Sequence, residues 1–213
     1  MAELSFARDA MVTGIGLVSC LGEGLDAHRA ALDAPGGFQP VVDSASFSPF
    51  PVHPIVALET EYSLWSRDVE SEILPACREL GIGLMAYSPL GRGFLTASIK
   101  TLDALLPQDR RRDHPRFNAD NIERNARLLE PLERVAAAKG CTPGQVALAW
   151  VLAQGADIVP IPGTKRRRFL EQNCAAAELV LSAQEIELLS RAFPLDVAAG
   201  KRYPDKQLAG LGL

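Results

Sequence analysis

The chain has 213 residues, of which 47% are hydrophobic, 23% charged and 6% aromatic, and 22 lysines and arginines against 26 acids give it a net charge of −4. These are ordinary globular values, which exclude a collagenous, coiled-coil or disordered chain. With no basic excess to neutralise phosphates, and no apolar run near the roughly 20 residues a bilayer requires, neither nucleic acid nor membrane is expected as a partner.

The first residues carry an acid at Glu3 and no basic-then-apolar leader pattern, so the expected compartment is the cytoplasm. Residues 10–19 read as a short apolar strand entering a glycine turn, followed by a helix over 24–32. Between 33 and 54, Pro35, Pro40, Pro49, Pro51 and Pro54 remove backbone donors and exclude helix before each proline. That stretch is an irregular linker, and a boundary is placed near residue 56, dividing the chain into 1–56 and 57–213.

Strand and helix then alternate. Residues 55–58 form a strand, and Asp68 caps a helix whose apolar positions are Val69, Ile73, Leu74, Cys77 and Leu80, stopped by Gly81. Residues 82–87 form a buried strand. The stretch 88–117, rich in Gly, Pro and Arg, is too long for an idle connection and reads as a functional lid or a disordered loop. A helix over 121–139, kinked at Pro131, ends at Gly140. Thr142 and Gln145 box the next helix, through Val151, with Pro143 at its first position. A strand over 158–161, a helix over 167–177 and a last helix boxed by Ser182 and Glu185 complete the order.

This order is that of an α/β fold with a parallel sheet or barrel. A complete eightfold barrel takes roughly 250 residues, and only three strands follow position 56. The expected architecture is therefore a partial TIM (β/α)8 barrel, the C-terminal strands and helices only, with an N-terminal appendage of strand, helix and linker.

Several motifs are set aside. Gly14-Ile15-Gly16 follows a strand, but Ser19 stands where a dinucleotide fingerprint needs its third glycine, so a plain turn is expected. His28, His53 and His114 have no metal-seating spacing, Ser88 and Ser182 lack a nucleophile elbow, and Cys20, Cys77, Cys141 and Cys174 are too scattered for a disulfide framework. No metal site is expected.

Two segments carry more. In residues 86–93, Ala-Tyr-Ser-Pro-Leu-Gly-Arg-Gly, a strand end presents an aromatic ring that could stack on a flat heterocycle, with glycines that admit a pyrophosphate to the backbone. An ordinary strand-to-loop exit explains that segment equally well. In residues 160–168, Pro-Ile-Pro-Gly-Thr-Lys-Arg-Arg-Arg, a glycine, a hydroxyl and consecutive cations precede a helix N-terminus and make an anion site.

Together with Glu61-Tyr62-Ser63-Leu64-Trp65, Glu72-x-Leu74-Pro75-x-Cys77, residues 161–173 and Arg202-Tyr203-Pro204, these segments resemble the C-terminal half of the aldo/keto reductases. The resemblance implies an eightfold barrel that binds NADP(H) without a Rossmann domain and reduces small-molecule carbonyls by hydride transfer. Carried over, Tyr87 stacks on the nicotinamide, Ser88, Leu90 and Gly91 line the pyrophosphate, Gly163, Thr164, Lys165 and Arg166 hold the 2′-phosphate, and Gln172 and Asn173 hold the adenine. Gln172 replaces a more usual Glu, and Glu59 stands where a Gln is expected beside the nicotinamide amide.

Residues 11–22, Met-Val-Thr-Gly-Ile-Gly-Leu-Val-Ser-Cys-Leu-Gly, with Gly24-Leu25-Asp26 and Pro51-Val52-His53-Pro54, resemble instead the N-terminus of beta-ketoacyl-ACP synthases. The resemblance to the aldo/keto reductases implies a proton donor, a Tyr whose pKa is lowered by a Lys, with Asp and His beside them, that comes from the first half of their barrel. Here the first lysine is Lys100 and the first tyrosine Tyr62, within the second-half motif. No catalytic residue is assigned. The resulting expectation is a reductase-derived fragment with NADP(H) affinity and no turnover, prone to self-association through open barrel edges. Its alternatives are a working reductase rebuilt by the N-terminal segment and a non-catalytic interaction module linked to fatty-acid synthesis.

Overall fold

The computed structural model describes residues 57–210, together with two short strands, β1 (Val18–Ser19) and β2 (Gly22–Glu23), which pair antiparallel. The helix expected over 24–32 and the linker over 33–54 lie outside the described residues, as does most of the strand-and-turn reading of 10–19.

The remaining strands, β3 (Ala57–Glu61), β4 (Gly83–Tyr87) and β5 (Ile158–Pro160), form one parallel sheet in the order β3-β4-β5. Parallel neighbours need crossovers, and helices supply both. The first is α1 (Ile73–Leu80), and the second is the long run containing α2 (Ala119–Ala126), α3 (Leu129–Lys139) and α4 (Pro143–Leu152). After β5 come α5 (Arg167–Ala175), α6 (Ala183–Ala192) and α7 (Asp205–Gly210).

Side chains alternate across a strand, which sorts the sheet into two faces. Leu84, Ala86 and Ile158 are fully buried and share one core with Leu74, Leu132, Val146, Trp150 and Phe193 from the helices. Their neighbours Gly83, Met85, Tyr87 and Val159, on the other face, are only half-buried. α4 is apolar all round and sits centrally, with seven buried residues from Gly144 to Val151.

Four expectations change. The helix expected from Asp68 begins as a 3-10 turn, Asp68–Glu70, with no side-chain cap, and α1 starts at Ile73. Val69, Leu74 and Cys77 are buried, but Ile73 and Leu80 face outward, because the turn shifts the helical phase. Gly81 does end α1, in the left-handed conformation at φ 67°.

The single helix kinked at Pro131 is two helices, parted at Arg127–Leu128, with Asn118 capping the first by accepting from the Asn121 amide. Pro131 occupies the first turn of α3, where an N–H has no intrahelical acceptor, so the ring costs no hydrogen bond.

The stretch 88–117 is ordered, not a disordered loop. It is a series of 3-10 turns whose Phe94, Leu95, Ile99, Leu105 and Phe117 enter the core. Its arginines satisfy the turns' carbonyls: Arg112 donates to Leu102, Leu105 and Leu106, and Arg111 to Arg92. The helix expected to Ala177 ends at Ala175 and continues as a 3-10 turn, Ala176–Glu178.

Candidate functional site

The parallel register brings the two singled-out segments to the same end of the sheet. Leu84, Met85 and Ala86 pair with Ile158, Val159 and Pro160, and the Ile161 amide donates to the Ala86 carbonyl at 3.0 Å. The loops after Tyr87 and after Pro160 therefore leave from adjacent C-terminal strand ends, where parallel α/β folds place their sites.

After Tyr87 the backbone turns sharply. Ser88 is left-handed at φ 49°, and the Gly91 amide donates to the Ser88 carbonyl at 2.8 Å. The Leu90 carbonyl accepts from the amides of Gly93 and Leu95. Gly91, at φ 54°, presses on Trp65 so closely that a Cβ would lie 2.9 Å from the indole, so protein packing alone demands glycine there. Trp65 stacks on Phe94 with centroids 3.9 Å apart, fixing this turn against the core.

The turn at 163–166 is different. It is exposed, and nothing lies within 4 Å of a Cβ added at Gly163. The Thr164 hydroxyl accepts from the Arg166 amide at 3.2 Å, and Arg166, the N-cap of α5, makes no side-chain capping bond. The Phe169 and Leu170 amides donate to the Arg166 carbonyl, and the first two amides of α5, those of Arg167 and Arg168, lie among the cations with no intrahelical acceptor. Arg167 pairs with Glu171 at 3.0 Å, whereas Lys165, Arg166 and Arg168 enter none of the ion pairs among the described residues. Gln172, half-buried, and Asn173, buried, sit further along α5. Glu59 is exposed and lies in register with Met85, on the same face as Tyr87.

Several residues of the rim had no assigned role in the sequence. Glu61 closes β3 opposite Tyr87 and is buried, with 1% exposure. Its carboxylate accepts from Ser66 at 2.8 Å, from Arg92 at 3.0 and 3.4 Å, and from the Tyr203 hydroxyl at 3.3 Å. Arg92 is itself left-handed, at φ 56°, a conformation that its ion pair and the Arg111 contact to its carbonyl hold in place. Its guanidinium lies 4.6 Å from the centroid of the Tyr203 ring. Arg116 donates to the Trp65 carbonyl and the Ser66 hydroxyl at 2.8 Å, and burial holds it below the usual arginine range. Glu61, Arg92 and Tyr203 all stand within recognisable motifs, but only folding joins them.

Two tyrosines approach this rim. The Tyr87 hydroxyl lies 3.2 Å from that of Tyr203, and burial, the Tyr203 hydroxyl and Glu61 push its pKa up to about 12. Tyr62 donates to Glu70 at 2.8 Å and is held far above the usual tyrosine value, mainly by burial and then by Glu70. Among the described residues, no group of three or more His, Cys, Asp or Glu is placed to hold a metal ion, and no helix is long and apolar enough to cross a membrane.

Comparison with known proteins shows the family of the chain. Residues 46–192 match the aldo/keto reductase family, a match that begins before the expected boundary at 56. A probable aldo-keto reductase 1 of Glycine max is 45% identical over 157 residues, which is 71% of this chain and 44% of that protein. The glycerol dehydrogenase of Gluconobacter oxydans superposes with a TM-score of 0.59 at 26% identity, covering 68% of this chain and 46% of that one. A Klebsiella pneumoniae aldo-keto reductase solved with NADPH is 27% identical, with a TM-score of 0.45, over 67% of this chain and 42% of the other. The chain spans less than half the length of each of these relatives.

Proposed function

Because the chain belongs to the aldo/keto reductase family, we propose that it is the NADP(H)-holding part of such a reductase, gripping the dinucleotide across the C-terminal ends of β4 and β5. The observation that carries this reading is the 163–166 turn. An open Gly163, the Thr164 hydroxyl, the first amides of α5 at Arg167 and Arg168, and cations at Lys165, Arg166 and Arg168 that enter no ion pair among the described residues are what a phosphomonoester needs.

Gly163, Thr164, Lys165 and Arg166 take the 2′-phosphate, and Gln172 with Asn173 the adenine. Ser88, Leu90 and Gly91 border the pyrophosphate, and Tyr87 offers its ring to the nicotinamide. Bound in this way, the reduced dinucleotide supplies the hydride for a small-molecule aldehyde or ketone. A cytoplasmic location fits such a role.

The 213 residues alone do not complete that reaction. A proton donor to a carbonyl oxygen must have a pKa drawn toward neutrality, and both Tyr62 and Tyr87 are shifted the other way. The lysines that lie in ion pairs serve carboxylates: Lys100 binds Glu133, Lys139 binds Glu185 and Lys201 binds Asp205. We read the residues ahead of the family match, 1–45, as a synthase-like appendage on the strength of the 11–22 motif. A link to fatty-acid synthesis would appear as capture of acyl carrier protein by the full chain.

Titration of the purified chain with NADPH and NADH tests the reading, with NADPH expected to bind about tenfold or more tighter through charged hydrogen bonds to its extra phosphate. Adding an aldehyde should leave the NADPH absorbance unchanged. Equal affinity for the two cofactors would overturn the phosphate assignment, and steady oxidation of NADPH would overturn the missing proton donor.

A further inference from the structure

At the C-terminal end of the sheet, a buried carboxylate, two tyrosine hydroxyls and an arginine from three separate segments form one connected network. Resting on the nicotinamide role of Tyr87 given above, we propose that Glu61 and Tyr203 are positioning residues that fix the Tyr87 ring for the nicotinamide.

The direction of the hydrogen bonds follows from chemistry. Glu61 is an acceptor, already receiving Ser66 and Arg92, so the Tyr203 hydroxyl donates its proton to Glu61 Oε2 at 3.3 Å. With that proton committed, the Tyr203 oxygen accepts the Tyr87 hydroxyl at 3.2 Å. Tyr87 is thereby held at its far end as well as at Cα, and its ring loses the freedom to rotate about χ1 and χ2. A stacking surface already fixed in place spends less of its binding energy on ordering.

The network also explains why the ring of Tyr203 stays in place. Arg92 lies over one part of it at 4.6 Å and Arg202 at 5.5 Å, with Arg202 anchored to Asp68 at 3.1 Å and its carbonyl 3.4 Å from His114 Nδ1. The segment 202–203 is thus tied to three other parts of the chain, and its one hydroxyl reaches the site. None of these groups other than Tyr87 is assigned to the cofactor, so their effect on binding must pass through that ring.

The test uses the full chain and two ligands, NADPH and adenosine 2′,5′-bisphosphate, which has the phosphates but no nicotinamide. Tyr203→Phe keeps the ring under both arginines and removes only the hydroxyl. It should weaken NADPH about 3- to 10-fold, the range of one hydrogen bond, and leave adenosine 2′,5′-bisphosphate unchanged. Tyr87→Phe removes the Tyr87–Tyr203 bond and should also weaken NADPH, by no more than Tyr203→Phe, and the double variant should lose no more than Tyr203→Phe alone, because that variant already lacks both bonds of the Tyr203 hydroxyl.

A Tyr203→Phe effect that is equal for both ligands indicates a structural role and overturns the proposal, as does no effect on either, or additivity in the double variant. Wild-type chain that binds the bisphosphate, but NADPH no more tightly, retains the phosphate site and loses this proposal. Wild-type chain that binds neither removes the proposed cofactor function, and the proposal with it.

Discussion

At the scale of single residues, Glu61 carries the largest stake. It is buried with its charge fully engaged by Arg92, Ser66 and Tyr203, so Glu61→Ala should destabilise the chain by about 3 to 5 kcal/mol, as expected when one member of a buried pair is removed. Urea melts of the variant and parent would measure it. The tyrosine at position 87 gives a pH prediction with a definite sign. Its folded pKa, about 12, lies above the ordinary 10, so the neutral form is favoured by folding. The stability it contributes is complete below the ordinary value and falls as pH rises toward 12. Absorbance titration at alkaline pH should show a late phenolate step that Tyr87→Phe removes. Asp109 behaves oppositely: hydrogen bonds from Arg111 lower it to about 2, so its contribution holds at neutral pH and fades as pH falls toward that value. The exposed turn at 163–166 brings together residues that are contiguous, so its composition could be read along the chain. The Glu61 network could not, since its members stand 31 and 142 positions apart and become neighbours only when β3, β4 and the tail converge.

At the scale of elements, the two capping boxes were legible for the same reason: donor and acceptor are three residues apart. Thr142 with Gln145, and Ser182 with Glu185, each complete the reciprocal pair. Thr142→Ala should cost about 1 kcal/mol, seen as a lower midpoint in thermal melts. Pro131 misleads because a proline inside a helical pattern signals a kink, whereas the break two residues before α3 turns it into a first-turn residue. Pro131→Ala should therefore leave the melting midpoint nearly unchanged, while a mid-helix proline would give a clear rise. The stretch 88–117 was illegible because its order comes from distant partners. Phe94 is held by Trp65, Phe117 packs edge-on against the same indole at 5.5 Å, and no local periodicity announces either contact.

At the scale of the whole molecule, the described sheet has two edges, and they differ. Backbone N–H groups alternate sides along a strand. Ile161 donates to Ala86, so the position of the missing Pro160 N–H faces away from β4 and blunts that edge. On β3, Tyr62 donates to Tyr87, which turns the Glu59 N–H to the other, unpaired side. We expect concentration-dependent self-association through β3, measured by sedimentation, and its reduction by Glu59→Pro, which removes an outward donor and no ladder bond. A chain that sediments as one species at all concentrations would remove this expectation.

Asn125 joins distant parts of this architecture with a single amide: its NH2 donates to the carbonyls of Arg116 and Ala199 at 3.1 and 3.0 Å, and its oxygen accepts from the Ala199 amide at 2.8 Å. Exchanging that nitrogen for an oxygen, as Asn125→Asp does, changes almost no volume but sets lone pairs against two carbonyls. The variant would act as a shape-neutral release for the stretch after Ala199, so that protease cleavage there reports on a fastening some distance away.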